Sequence, residues 1–350
     1  MSNDTIDEPV RWGILGCGGI ARKFAAGAAD SRTGVVAAVG SRSRERAEAF
    51  AAEHAPAAAS FGSYEDLIAS DAVEGVYVAT PHPFHLQSVL AAAAAGKHVM
   101  VEKPAGMTAE EAAAMIEACR GAGVFFMEAF KDRPHPVFNE LFARVEAGAV
   151  GRVFRIETAF GGAMLPLDPG HRLLEPALGG GVILDVGTYA VSMARAIAGA
   201  AAGERFRDPG GLRGWLRRGG TGVDVEAGAE LLFADGVTAS VYCTLRAHAQ
   251  WIRVHGGEGS LVVCGRWPWH FEPGREGPHL AIRRGKDSEP VTVDYAGALL
   301  SHEIDAAGDA IRAGRTEAAG RAMGHADSLG QARTLDRWLA CPDADPQPAR

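Results

Sequence analysis

Paired cysteines are what this 350-residue sequence most plainly lacks. Cys17, Cys119, Cys243, Cys264 and Cys341 are scattered, odd in number and never spaced as C-x-x-C, which excludes a disulfide framework and a cysteine zinc site. A run of Lys or Arg is missing too, and the formal net charge is -8. The phosphate backbone of a nucleic acid would therefore find no clustered positive charge to bind. No stretch reads as the ~20 apolar residues that span a bilayer, and the opening MSNDTIDEPV has neither the basic nor the apolar region of a signal peptide. The expectation is a cytoplasmic protein with reduced thiols, no nucleic-acid partner and no membrane.

Apolar residues make up 47% and charged residues 22% of the chain, the balance of a folded protein. The length suits two domains better than one core. Short apolar runs at 11–15, 35–39, 76–79, 98–101 and 124–127 read as buried strands, with helical patterns at 20–29, 44–53, 84–95 and 109–120 between them. Such alternation predicts right-handed βαβ units and a parallel sheet. Beyond about 152 the pattern changes. Runs at 153–160, 224–233, 238–245, 251–255 and 260–263 follow one another with turn signals such as Ala234-Asp235-Gly236 and Gly256-Gly257, which predicts a mainly antiparallel sheet. Helices are predicted at 181–197, 301–313 and 323–339, and the Gly/Arg-rich segment 203–222 reads as a long surface loop. The tail CPDADPQPAR is Pro-rich and is expected to fray. The fold class expected is α/β: an N-terminal Rossmann domain over 1–128 and a C-terminal α+β domain over 129–350, whose last helix is one able to pack back on the first domain.

The segment RWGILGCGGIARKF sets Gly16, Gly18 and Ala21 as G-x-G-x-x-A where the first strand turns into the first helix. Gly16 permits the tight turn, Gly18 leaves room for a pyrophosphate, and Ala21 lets helix pack on strand. The helix start at Gly19 and Ile20 offers free N–H groups and a positive dipole end to phosphates. About 20 residues on, an NAD enzyme presents a carboxylate to the ribose 2'-hydroxyl. Here Ser41 and Arg42 stand there, a hydroxyl and a guanidinium that suit a 2'-phosphate. NADP(H) is the expected cofactor, with NAD(H) as the alternative; Arg44 and Arg46 read equally well as solvated helix-start charges.

Two more loops leave the carboxyl ends of predicted parallel strands, where open α/β sheets bind ligands. ATPHPFH (79–85) offers Thr80, Pro81 and His85 to the cofactor, and VEKPAG (101–106) offers Glu102 and Lys103. The second domain adds GGGVILDVGTYAVSMARAI, where Asp185 and Tyr189 lie four apart and share one face if the segment is helical. A lysine cation beside that phenol would lower the cost of tyrosinate and bring its pKa down from ~10. His82-x-x-His85 and Asp168-x-x-His171 have no third ligand at a recognisable spacing, so no metal is expected.

The combination of GCGGIA, ATPHPFH, EKP, DVGTY and, near the end, SHEIDAAGDAIRAG resembles the Gfo/Idh/MocA family (glucose-fructose oxidoreductase, inositol dehydrogenase and rhizopine catabolism proteins) in order over nearly the whole chain. The resemblance implies an open-faced second sheet and hydride transfer between C4 of a nicotinamide and a carbinol or carbonyl carbon of a sugar, inositol or related polyol. It implies that Lys103 orients nicotinamide and substrate, that Asp185 binds substrate or cofactor, and that Tyr189 is the acid/base. Many relatives carry His at the Tyr189 position. FMEAFKDRPHPVF is similar to the branch of dimeric dihydrodiol dehydrogenase and NADP-linked xylose dehydrogenase, except that Lys131 stands where an aromatic residue is typical. That lysine would suit a polyhydroxylated or anionic substrate rather than an aromatic diol. Lys131, Arg133, His135, His171 and Arg172 are the candidate substrate contacts. Fold-level analogy suggests a homodimer or homotetramer through the open sheet face. A cofactor-sensing regulator and an NAD-assisted glycosidase of the same fold are the rival readings.

Overall fold

A computed structural model describes residues 8–168, 170–265, 274 and 276–344; the last six residues of the tail expected to fray lie outside them. The chain forms two compact units. The first takes the residues up to Gly106 with Glu110–His135 and Tyr295–Ser328, and the second takes Met107–Ala109, Pro136–Asp294 and the residues from Leu329 on. The chain thus crosses between units more than once, which a single cut after 128 does not describe.

In the first unit, β1 (Val10–Leu15), β2 (Gly34–Gly40), β3 (Ala59–Phe61), β4 (Gly75–Val78), β5 (His98–Glu102) and β6 (Phe126–Ala129) form a parallel sheet in the order β3-β2-β1-β4-β5-β6. The order reverses between β1 and β4, which is where such sheets open a crevice for a dinucleotide. Helix α1 (Gly19–Ala29) buries Ala21, Phe24, Ala25 and Ala28, and the Phe24 ring stacks on Tyr77 at 3.8 Å. These apolar positions recur at helical spacing, so one face of α1 is anchored and its N-terminus is fixed over the strand ends. Helix α2 (Arg44–His54) starts on Ser43, whose side chain accepts from Arg46 N. A short helix α3 (Tyr64–Ala69), which follows β3, α4 (His85–Ala94) and α5 (Ala109–Gly121) come next in the chain. Neither β3 nor α3 is anticipated by the sequence pattern, because both are under seven residues and show too few periods.

The second unit begins with α6 (Pro136–Glu146). Its eight-stranded sheet contains β7 (Val153–Gly161), β8 (Gly211–Arg218), β9 (Asp224–Leu232), β10 (Thr238–Thr244), β11 (Ala249–Gly256), β12 (Gly259–Val263), β13 (Leu280–Arg284) and β14 (Asp287–Val291). Their order is β14-β13-β12-β11-β7-β10-β9-β8, and every pair is antiparallel except β7 with β10. The segment read as a long surface loop is in part the edge strand β8. Leu216 points into the core and Arg213 outward, a period of two hidden by the glycines around it.

Helix α7 (Thr188–Ala201) lies on β7 and β10 and is buried along nearly its whole length. Thr158 Oγ1 of β7 donates to Ala190 O at 2.8 Å, tying helix to sheet. The stretch Pro176–Ala201 is longer and more apolar than the sequence reading allowed, its most apolar window reaching a mean hydropathy of 1.3, yet 78% of that window is buried inside the protein. Its helix α7 is a core helix, apolar over most of its surface for that reason, with the buried Arg195 ion-paired to Asp208. The opposite sheet face carries half-exposed Trp215, Tyr242 and Trp251 with ion pairs such as Arg155–Glu230 and Arg217–Glu226. Helix α8 (Ser301–Arg312) returns to the first unit and packs on α1 and β2, whereas most of α9 (His325–Leu339), the last helix, belongs to the second. All five cysteines are free thiols.

Candidate active site

The glycine turn after β1 is built as a cradle. Gly16 has φ +103°, a left-handed value that favours glycine, and a Cβ there would stand 3.0 Å from Ala79 O on the neighbouring loop. Gly18 and Gly19 open onto empty space, with no atom within 4 Å of the position a Cβ would take. Helix α1 starts on Gly18 with no capping side chain and no acidic residue in its first turn, so its end keeps a positive field. Ala21 is fully buried, as close packing of helix on strand requires. Thr80, on the facing loop, is buried with an Oγ1 that has no partner among the described residues. An open glycine cradle, an uncapped helix start and an orphaned hydroxyl are what a dinucleotide phosphate would complete. The residues present therefore fit that cofactor.

At the end of β2, Ser41 is buried and donates its backbone N–H to Phe61 O at 3.2 Å, while Arg42 is exposed. Burial raises the Cys17 thiol pKa, and a hydrogen bond with Ser41 and the charge of Arg46 pull it back. Burial likewise raises the Tyr64 phenol against the charges of Arg42 and Arg46. Arg44 is spent on Glu48 at 3.0 Å. Ser41, Arg42 and Arg46 thus share one polar patch with Cys17 and Tyr64. The sequence did not single out Tyr64, because it starts the unforeseen helix α3.

The two loops beyond β4 and β5 are joined by His85. Its Nε2 lies 2.8 Å from Thr80 O, and its Nδ1 lies 3.0 Å from Pro104 O and 3.1 Å from Ala105 O. The ring is fully buried, and burial depresses its pKa. This corrects the expectation that His85 touches the cofactor: it shapes the crevice by tying Thr80-Pro81 to the Lys103-Pro104 segment, whose peptide bond is cis. Glu102 accepts from Tyr77 Oη and from Lys103 N, so it braces the loop from below. Ala105 N donates to Glu128 Oε1 at 2.9 Å. Lys103 itself is half-buried.

Lys131 and Arg133 are placed differently from the sequence expectation. Lys131 is 2% exposed, and burial brings its ammonium well below the usual lysine range against the carboxylates of Asp132, Glu102 and Glu303. Arg133 is 1% exposed and donates to Asp327, to Arg321 O at 3.1 Å and to Met323 Sδ. Both cations are answered within their own unit, so neither is kept as a substrate contact. His135 is fully buried against the rings of Tyr295 and His302, at 4.6 and 4.9 Å, and drops out likewise.

In the second unit the segment that carries Asp185 and Tyr189 is not one α-helix. Ile183–Gly187 forms a π-helical turn that runs into α7, a form frequent at functional sites. Asp185 sits in that turn and Tyr189 opens α7. Tyr189 is 2% exposed, with its ring edge-on to Phe160 at 5.5 Å. Arg172 Nη2 donates to Asp185 Oδ1 at 2.7 Å, so two side chains singled out separately form one ion pair. His171 Nδ1 accepts from Leu173 N at 3.2 Å and caps the short turn carrying Arg172. The His82 and His85 rings are 5.7 Å apart, and among the described residues no three His, Cys, Asp or Glu side chains are grouped to hold a metal ion.

Comparison with known proteins supplies a framework for this geometry. Residues 10–130 match the model of the oxidoreductase family with an NAD-binding Rossmann fold, and residues 138–262 match the Gfo/Idh/MocA C-terminal domain. The chain is 36% identical over 256 residues to D-xylose 1-dehydrogenase (NADP(+)) 2 of Haloferax volcanii, covering 71% of this chain and 74% of that one. It is 36% identical over 264 residues to mouse trans-1,2-dihydrobenzene-1,2-diol dehydrogenase, covering 74% and 75%. Among solved structures, a 3-ketoreductase from Actinomadura kijaniata in complex with NADP and TDP-benzene superposes with a TM-score of 0.83 at 26% identity, covering 96% of this chain and 98% of that one. An aldose-aldose oxidoreductase from Caulobacter crescentus complexed with glycerol gives 0.83 at 25%, covering 95% and 97%. With both domain models matched in order and relatives aligned over more than two thirds of its length, the chain belongs to the Gfo/Idh/MocA family of NAD(P)-dependent oxidoreductases.

Proposed function

We propose that this enzyme is an NADP(H)-preferring dehydrogenase or reductase acting on a CH–OH carbon of an aldose or related polyol. The observation that carries the reading is the pairing of an open glycine cradle at Gly18-Gly19 with an exposed Arg42 at the end of β2, where an NAD enzyme would hold a carboxylate. The name of the Haloferax volcanii relative supports an aldose substrate, and it and the NADP complex of the 3-ketoreductase support the same cofactor.

The cofactor, when bound, supplies or takes up the hydride. Gly16, Gly18 and the amides of Gly19 and Ile20 would hold its pyrophosphate, and Ser41 and Arg42 its 2'-phosphate through charge-assisted hydrogen bonds. Thr80 and Pro81 would line the crevice that His85 shapes. Lys103 orients the reacting hydroxyl and favours its deprotonated form. Tyr189, as the tyrosinate, accepts the hydroxyl proton at Oη in oxidation, and as the phenol returns it in reduction. Asp185, ion-paired to Arg172, offers acceptor oxygens to neighbouring substrate hydroxyls, and His171 caps the turn that carries Arg172. A polyol suits such a set better than an apolar ring, because each hydroxyl finds a charged partner.

The test is Tyr189→Phe. Turnover on an aldose panel headed by D-xylose, read as nicotinamide absorbance, should fall by about three orders of magnitude while NADPH binding stays within about twofold. Turnover near that of the unmodified enzyme would overturn the role of Tyr189.

A further inference from the structure

The helix that carries Asp185 and Tyr189 starts without a cap of its own: Val182, at its N-terminal end, gives no side-chain hydrogen bond to the turn. The missing acceptor comes from a strand 41 residues further along the chain. Asp224, the first residue of β9, is 4% exposed, and its Oδ2 accepts from Ile183 N at 2.7 Å. We propose that Asp224 is a positioning residue for the reaction, holding the π turn in the orientation that presents Asp185 and Tyr189. The proposal rests on the reading of the site given above.

Three features make this contact more than an ordinary cap. Gly181 has φ +112°, and any Cβ there would collide with Asp224 Oδ1, so the backbone is shaped to admit that carboxylate. The carboxylate meets a helix N-terminus, where its charge is favoured. Burial raises its pKa, and the amides of Ile183, Asp224 and Val182 pull it back. The same short segment also receives the Arg172 turn. Gly181 N donates to Leu173 O and Gly180 N to Glu175 O, both at 3.0 Å, and a Cβ on Gly180 would meet the carbonyls of Glu175, Leu173 and Arg172 at 2.8 to 3.0 Å. That turn is what brings Arg172 to Asp185.

Asp185 is therefore held from two sides, by an ion pair from Arg172 and by the helix start that Asp224 fixes. A π turn is a rare interruption of helical hydrogen bonding that occurs frequently at functional sites, and here Asp224 supplies the partner for its first amide. Releasing Ile183 N would let the turn relax by a fraction of its pitch. Misplacement of about 1 Å at a reacting group can cost on the order of a hundredfold in rate.

The experiment compares Asp224→Ala, Asp224→Asn and Tyr189→Phe in the full chain, measuring amide hydrogen exchange, NADPH binding and turnover of the best aldose in the panel. In Asp224→Ala, amides 182–187 should exchange about tenfold faster or more while the rest of the chain keeps its protection. Its kcat should fall by about tenfold to a hundredfold at unchanged NADPH affinity. Asp224→Asn retains an oxygen acceptor for Ile183 N and should recover most of both. Unchanged exchange at 182–187 overturns the proposal, as does a kcat within about twofold of the unmodified enzyme. A loss spread over exchange, NADPH affinity and kcat alike, with no recovery in Asp224→Asn, overturns it as well and leaves Asp224 a stability residue. If Tyr189→Phe keeps its turnover, the reading of the site fails; if Tyr189→Phe is inactive and Asp224→Ala is not, this proposal alone fails.

Discussion

The glycine cradle and the helix that carries Asp185 and Tyr189 solve the same problem, fixing a polar group at a helix N-terminus, by opposite means. In the first unit the helix start is left uncapped: Gly18 has no side chain to offer, the first turn carries no acid, and the space in front of it is empty. In the second unit the helix start is filled from a distance by Asp224, through a glycine whose shape admits it. An uncapped N-terminus is a binding site because its N–H groups still need a partner. A capped one is a mount, rigid enough to aim the side chains that follow it. On the function proposed above, the contrast separates binding from chemistry, and it can be broken at either end.

After Tyr189→Phe, the largest expected effect is at the mount. Gly181→Ala places a methyl group in the Asp224 carboxylate at a left-handed backbone position, a strain on the order of 1 to 3 kcal/mol. The variant should lose about a hundredfold in kcat while its NADPH dissociation constant stays within about twofold. An NADPH affinity that falls instead, with kcat preserved, would erase the distinction. Gly16→Ala is the mirror case. Its Cβ would meet Ala79 O at 3.0 Å at φ +103°, so NADPH affinity should drop by about tenfold or more, with turnover at saturating cofactor much less affected. Fluorescence titration with NADPH beside steady-state kinetics reads both. Arg42→Ala should be smaller and selective: kcat/KM with NADPH falls about tenfold, and kcat/KM with NADH changes little. Equal losses with both cofactors would show that Arg42 serves the fold and not the 2'-phosphate.

How much of each region is legible in the sequence follows from the same contrast. The cradle is contiguous: Gly16, Gly18 and Ala21 fall within one strand-turn-helix, and each does locally what its spacing says. The mount is not. Asp224 lies in a strand that reads as plain alternation, and only the fold brings it to Ile183. The Arg172–Asp185 pair was visible as two separate candidates, because a loop of short turns has no periodicity from which to infer a contact. Lys131 and Arg133 misled for a physical reason: a charged run after a strand is usually solvated, whereas here it is buried among Asp132, Glu102, Glu303 and Asp327. Asp132 is adjacent, but Glu303 of α8 and Asp327, which bury and answer these cations, lie 172 and 194 positions away, so nothing local marks the run as buried. His85 misled likewise, since a histidine in a ligand-binding loop looks available until both its nitrogens are seen to face backbone carbonyls.

That buried charge cluster gives the smallest effect, and it tests whether the cofactor unit is as locally built as its cradle. Asp132 is fully buried, and burial pushes its carboxyl pKa up to about 6 from an ordinary 3.8, against the pull of Lys131 and Arg133. With the folded pKa above the unfolded one, the native state holds more protons between about pH 4 and 6, so stability falls as pH rises through that window. Lys131 acts in a separate window. Its folded pKa lies below its unfolded one, so its contribution grows with pH only on the alkaline side. Asp132→Asn fixes the neutral state at that position and should reduce the acid-side fall, leaving the part that Glu303 contributes, because burial raises its carboxyl pKa as well. Thermal unfolding followed from pH 4 to 6 should show the melting temperature of the unmodified protein dropping by a few degrees relative to the variant. Parallel curves would mean that the carboxylate is already ionised at pH 4, held by Lys131 as a tight pair. The cluster would then be a fixed strut beneath Glu102 and Lys103, with no titration of its own to pass on to the loop above it.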